Sequence, residues 1–119
     1  MARDVVAAAD DEARALAQAM LAAARFGALA WTDPETGTPG ISRIGFGLDA
    51  AGTPLTLISA LAPHEAALRA SPDCALMLGE VGARGDPLTH PRLMLRLQAQ
   101  FVAADDPARA ALRADWLKG

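Results

Sequence analysis

"GISRIGFGLDAAGTPLTLISALAPHEAALRA", residues 40–70, places two apolar runs, a glycine-bearing turn and a short helical stretch in succession. The runs "GISRIGFGLD" and "TPLTLISA" are separated by Ala50-Ala51-Gly52 and read as a hairpin. In the stretch that follows, Pro63 suits the first helical position, where its missing N–H is not needed. Ser71-Pro72 ends it, because the residue before a proline avoids helical geometry. Ala62 has no side chain with which to cap this helix, so its first amides must find another acceptor. Strands joined by tight turns, with one short helix between them, indicate an antiparallel meander or barrel rather than a βαβ sheet.

The flanking sequence fits that frame. Upstream, "FGALAWTD" (26–33) reads as a buried strand closed by the turn formers of "DPETGTPG" (33–40). Before it, Ala13, Leu16, Ala17, Met20, Leu21 and Ala24 recur at helical spacing. They predict a helix over about 10–25, with Asp10 or Asp11 as N-cap and Gly27 as stop. Downstream, "CALMLGE" (74–80) is a strand and "VGARGDPLTHP" (81–91) a loop. "RLMLRLQAQFVAAD" (92–105) is the longest strand pattern, in which Leu93, Leu95, Leu97, Ala99 and Phe101 alternate with Met94, Arg96, Gln98, Gln100 and Val102. Asp106-Pro107 starts a last helix over about 107–116, with Leu112 and Trp116 on one face. The expected architecture is one mainly β domain over residues 1–119, a barrel over about 26–104 with flanking helices. Five strands leave such a barrel incomplete unless something closes its last edge.

Composition narrows the function classes. The 119 residues are 52% apolar and 21% charged, which is the balance of a folded chain. A net charge of −3 gives no general attraction to nucleic acid or anionic lipid. Acidic and basic residues interrupt the Ala-rich N-terminal segment, so it reads neither as a signal peptide nor as a membrane span, and a cytoplasmic location is expected. Cys74 is the sole cysteine and lies in an apolar run; no Cys/His cluster has metal-ligand spacing.

Chemistry concentrates in residues 41–64. The period of two sets Ser42, Ile44, Phe46 and Leu48 on one face of their strand, and Ile41, Arg43, Gly45 and Gly47 on the other. A flat aromatic ligand could lie over Gly45 and Gly47 with its anionic group on Arg43; equally, the glycines could mark a bulge with Arg43 in solvent. Ser59 offers a hydroxyl, the helix behind it free amides, and His64 a charge-assisted hydrogen bond, which with Arg43 compose a phosphate clamp. The plain alternative for His64 is an exposed polar helix residue. His90, in "GDPLTHPRL" (85–93), is either a ligand contact or a surface turn residue. No pair of groups is spaced for general acid–base or nucleophilic catalysis, and no metal site is expected.

The segments "ARFGALAWTDPETGTPGISRIGFGLDAAGTPLTLISALAPHEAALRASPDCALMLGE" (24–80) and "GDPLTHPRLMLRLQAQF" (85–101) resemble the pyridoxamine 5′-phosphate oxidase-like, FMN-binding split-barrel family, in the branch of haem-utilisation proteins. The strand-Ser-x4-His junction and "GDPLTHPRL" carry the likeness, which runs from about Ala13 onward. The resemblance implies an antiparallel Greek-key split β-barrel. It also implies a homodimer with FMN at the subunit interface and a small-molecule substrate. Arg43 with its neighbour Ser42, the junction Ile58, Ser59, Ala60 and His64, and His90 would then bind the cofactor. An FMN-dependent oxidoreductase is the leading expectation. The alternatives are a haem- or flavin-binding protein of haem utilisation without redox turnover, with His64 and His90 as candidate iron ligands, and a structural dimer that has lost its cofactor. Two departures stand out. Ala67 occupies a position where the branch often has Asn, and family members continue past "ALRADWLKG" (111–119) with at least a further helix and strand. The haem-binding relatives also use a C-terminal extension. On this resemblance either the chain is a truncated product, or the partner subunit completes its last sheet edge.

Overall fold

The computed structural model describes residues 2–118, with side chains described from residue 10 onward. Helix α1 (Ala2–Ala23) leads into strand β1 (Phe26–Thr32), which pairs along its whole length with β2 (Pro39–Gly45). The chain then forms the two-residue strands β3 (Gly47–Leu48) and β4 (Pro54–Leu55), helix α2 (Pro63–Ala70) and strand β5 (Asp73–Leu78). A single 3₁₀ turn at Pro87–Thr89 precedes β6 (Leu93–Gln98), and α3 (Arg109–Lys118) follows. The main sheet is four-stranded and wholly antiparallel, in the order β2-β1-β5-β6, and β3–β4 form a separate two-stranded ladder. This is the expected mainly β architecture with flanking helices.

Its boundaries differ from the sequence expectation where local chemistry outweighs pattern. Helix α1 starts eight residues before Asp10, because the Ala-rich segment has high helix propensity and holds neither Gly nor Pro. It ends at Ala23, ahead of Gly27. That glycine belongs to β1 instead, where an added Cβ would lie 2.8 Å from Leu78 and 2.9 Å from Leu76. The run 40–49 is not one strand. At Phe46 the backbone leaves the β1 ladder, its N–H donating to the Arg25 carbonyl at 2.8 Å, and the Thr56 hydroxyl holds the Gly45 carbonyl at 2.6 Å. The hairpin expected from 40–60 is therefore reduced to Gly47–Leu48 against Pro54–Leu55. The last strand stops at Gln98, and Ala99 donates to the Pro72 carbonyl at 2.8 Å.

One face of the main sheet carries the core. Leu29, Leu76 and Leu78 point to it, and Leu68 of α2 and Phe46 from the β2–β3 kink pack onto them. Ser42 and Trp31 share this inner face, the indole N–H donating to the Ser42 hydroxyl at 3.0 Å. Helix α2 presents His64, Ala67 and Leu68 to the sheet, the spacing of one helical face. Its outer face pairs Glu65 with Arg69, whose guanidinium lies 4.1 Å from the Phe101 ring centroid.

After β5 the chain turns at Gly79, with φ of 123°, and an added Cβ there would sit 2.5 Å from the Pro91 carbonyl oxygen. Both the angle and the backbone overlap exclude a side chain. Gly79→Ala is expected to cost about 2–3 kcal/mol, the scale of one enforced backbone strain, as measured by urea denaturation.

Candidate functional site

Apart from Trp116 of α3 at its Gly45 end, the opposite face of the sheet has no covering layer among the described residues. The strand register aligns Phe26, Ala28 and Ala30 of β1 with Gly45, Arg43 and Ile41 of β2. On the other side it aligns Ala28 and Ala30 with Met77 and Ala75, and these with Met94 and Arg96 of β6. The outer face is therefore a trough. Ala28, Ala30 and Ala75 form its floor; Ile41, Met77 and Met94 line it at 71%, 49% and 55% exposure. Arg43 and Arg96 stand at diagonal corners, about 15 Å apart from strand spacing and rise.

Two depressions mark this face. A cavity of about 250 Å³ at one end is lined by Phe26, Ala28, Ile41, Arg43 and Met77. A wider one of about 730 Å³ at the other includes Ala30, Thr32, Asp73, Ala75, Arg96 and Gln98. The Arg43 guanidinium sits 5.6 Å from the centroid of the Phe26 ring, a cation–π contact that orients it. Among the described residues neither Arg43 nor Arg96 has an ion-pair partner. The site can therefore receive an apolar, flat molecule that carries an anionic group.

The residues proposed from sequence are dispersed. Arg43 is on the outer face. Ser42, next to it, points inward and accepts from Trp31. Ile58 packs against the core, and Ala60 is exposed. The Ser59 hydroxyl accepts the Leu61 N–H at 3.2 Å, and its carbonyl accepts the Ala62 N–H at 3.0 Å, so it closes the link into α2. His64 is 7% exposed on the core side of α2. Arg43 and His64 are thus on opposite sides of the sheet, and the phosphate clamp is not assembled within one chain. His90 is a loop brace: its Nδ1 accepts the Gly82 N–H at 3.1 Å and its Nε2 bonds the Arg84 carbonyl at 2.8 Å. Ala67, where the family branch often has Asn, is a core position. Burial, and then the neighbouring Asp73 carboxylate, push the Cys74 thiol above its ordinary pKa, so it stays protonated and inert.

The sequence allowed either a flat aromatic ligand over Gly45 and Gly47 or a bulge at these glycines. The structure puts the indole of Trp116 there: added Cβ atoms would lie 3.0 and 3.4 Å from it. Arg96, Met77 and Met94 were missed as site residues. The alternation of residues 93–98 already set Met94 and Arg96 on one face, but only the register with β5 joins that face to Arg43.

His64 Nδ1 is the one buried side-chain nitrogen or oxygen without a hydrogen-bond partner among the described residues. Such an atom carries a desolvation penalty that an apolar side chain of similar size avoids. His64→Leu is expected to raise stability by about 1 kcal/mol in urea denaturation; a loss of stability would show that the imidazole is held by a bond.

No protein-family model matches the chain. One solved structure is 42% identical, covers 91% of this chain and 71% of its own, and superposes with a TM-score of 0.74. A haem-binding protein from Mycobacterium smegmatis is 30% identical over 86% of this chain and 40% of its own, with a TM-score of 0.72. HutZ, the haem storage protein of Vibrio cholerae, shares the fold at 23% identity over 82% of this chain and 68% of its own, with a TM-score of 0.71. A non-canonical haem oxygenase of Arabidopsis thaliana chloroplasts, HOZ, is 32% identical over 81 residues, 68% of this chain. The chain spans about a quarter of that relative's length, 24%.

These likenesses overturn the expectation of FMN. The three relatives above that carry a functional name are named for haem, none of them for a flavin, and the clamp that was to hold the flavin phosphate is divided between the two sides of the sheet. No described helix is long and apolar enough to cross a membrane. The chain has the mainly antiparallel, split-barrel-type fold of these structures, and proteins named for haem binding and haem storage stand among its structural neighbours.

Proposed function

We propose that this protein binds haem in haem utilisation, on the outer face of its sheet, without a redox step carried out by its own side chains. The observation that carries the reading is the alanine-floored trough between Arg43 and Arg96, which have no ion-pair partner among the described residues. Haem is a flat, largely apolar macrocycle whose two carboxylates leave one edge, so it needs an apolar floor and a cation at one end. Ala28, Ala30, Ala75 and Met77 supply the floor, and Arg43 the cation that is already oriented. Bound haem would supply iron chemistry, for which the chain contributes orientation and exclusion of water. The donors on this face are the thioethers of Met77 and Met94, directly opposite each other on β5 and β6; His90 has both ring nitrogens engaged.

Ile41, Met77 and Met94 are too exposed for a face meant to stay in water, which favours a second subunit closing over the ligand in a homodimer. The neighbours named for haem binding and haem storage support the reading. Titration of the protein with haemin, followed by the Soret band and by sedimentation, tests it. A saturable Soret shift in a dimeric species is the expected result. A monomer that leaves the haemin spectrum unchanged would overturn both parts.

A further inference from the structure

We propose that α3 is a displaceable cover on the Arg43 end of the ligand site, with Trp116 seated in a slot that the ligand itself takes. This rests on the outer face being the haem site. The slot is built by the sequence Gly45-Phe46-Gly47. Phe46 turns into the core at 6% exposure, and the glycines on either side leave bare backbone for a planar ring. Gly45 lies opposite Phe26 in the β1–β2 register, and Arg43 follows two residues along the same face. The indole of Trp116 therefore sits at the end of the row that begins the Arg43 cavity.

The volume of that cavity points the same way. At about 250 Å³ it falls below the roughly 300–1,000 Å³ of ordinary small-molecule pockets. A macrocycle anchored by a carboxylate on Arg43 outgrows this cavity, and extends over the alanine floor on one side and into the neighbouring slot on the other. With Trp116 in place the slot is filled by an aromatic system of the protein's own.

The anchorage of α3 is slight enough to yield. Besides Trp116 on the two glycines, it is held by Asp115, whose carboxylate accepts the Ala50 N–H at 2.9 Å. At its start Arg109 donates to the Val102 carbonyl at 3.2 Å. No residue of α3 is fully buried, and Leu117 is exposed. Short helices of this kind owe their order to packing rather than to propensity, so loss of the indole contact weakens the hold on the whole element.

The probe is haemin, and there are two readouts. Hydrogen exchange of the α3 amides, residues 109–118, is expected to accelerate at least fivefold when haemin saturates the protein. Trp116→Ala is expected to bind haemin at least fivefold more tightly, because the slot is already open. Asp115→Ala, which keeps the indole and removes only the hook to Ala50, is expected to shift affinity in the same direction by a smaller factor. Exchange in α3 that slows or stays constant on binding, or a Trp116→Ala variant that binds equally or more weakly, overturns the cover. A Soret shift without release of α3 rejects the cover while leaving the haem reading intact. Failure of all three proteins to bind haemin rejects both.

Discussion

Leu68→Ala is expected to remove about 3–4 kcal/mol of stability, within the range of buried Leu truncations. Leu68 is 2% exposed, and it joins α2 to Leu29, Leu76 and Leu78 on the inner face. Helix α2 has only eight residues, and Ala62 gives it no side-chain cap. A helix that short does not hold its shape by backbone bonding alone, so its order derives from this one face. The truncation therefore leaves a cavity and loosens the helix that would otherwise close it. The midpoint of thermal unfolding is expected to fall by about 10–20 °C, at several degrees per kcal/mol for a chain of this size. Leu61→Ala is the control: this residue, in the link before α2, is 94% exposed, and its loss is expected to change stability by less than about 0.5 kcal/mol. Equal effects of the two variants would mean that α2 does not pack as described. His64 lies on the same face of α2, so Leu68→Ala combined with His64→Leu is expected to be non-additive.

The sequence made α2 legible to the residue, because Pro63 and Ser71-Pro72 act through backbone sterics that no tertiary contact needs to enforce. The inward and outward sides of residues 41–48 were equally legible, since a strand has only two faces. The break at Phe46 was not. It depends on the Arg25 carbonyl and the Thr56 hydroxyl, partners that pattern cannot supply. The start of α1 was missed because Asp10 and Asp11 look like caps even when the residues before them are better helix formers than loop formers.

The site shows the same division. That Gly45 and Gly47 await a close approach could be read from the residue type, but not that the visitor is Trp116, far along the chain. Arg43, Ser59 and His64 looked like one constellation because they fall on consecutive elements. The sheet separates them, since the side chain of Arg43 leaves on the outer face while the 64-67-68 spacing turns His64 to the inner one. The likeness to an FMN-binding family then reinforced a clamp that the backbone does not assemble. Strand direction was available from sequence; the order of strands in the sheet was not, and Arg96 enters the site only through that order.

Arg43→Ala is expected to weaken haemin binding by about tenfold to a hundredfold, the range of a lost hydrogen bond to a charged group. The two arginines of the trough are not equivalent. Arg43 is already oriented over the Phe26 ring, so little side-chain freedom is lost when a carboxylate arrives. Arg96 borders the wider and more open depression, beside Asp73, whose carboxylate repels an anionic ligand. Arg96→Ala is therefore expected to change affinity less than about threefold, the scale of a solvent-screened contact. The two sites are about 15 Å apart by strand geometry, so their effects should add in free energy. Phe26→Leu separates orientation from charge: it keeps the apolar floor but removes the ring under the guanidinium, and a loss of about threefold is expected from the weaker cation–π contact. Haemin titrations at two salt concentrations complete the test. An Arg43–carboxylate contact in a half-open cavity weakens as salt rises, and the Arg43→Ala variant should lose that dependence. If Arg96→Ala weakens binding and Arg43→Ala does not, the ligand occupies the other end of the trough and Trp116 is no part of its site. If neither variant matters, the outer face is a protein interface and haem, where bound, lies elsewhere.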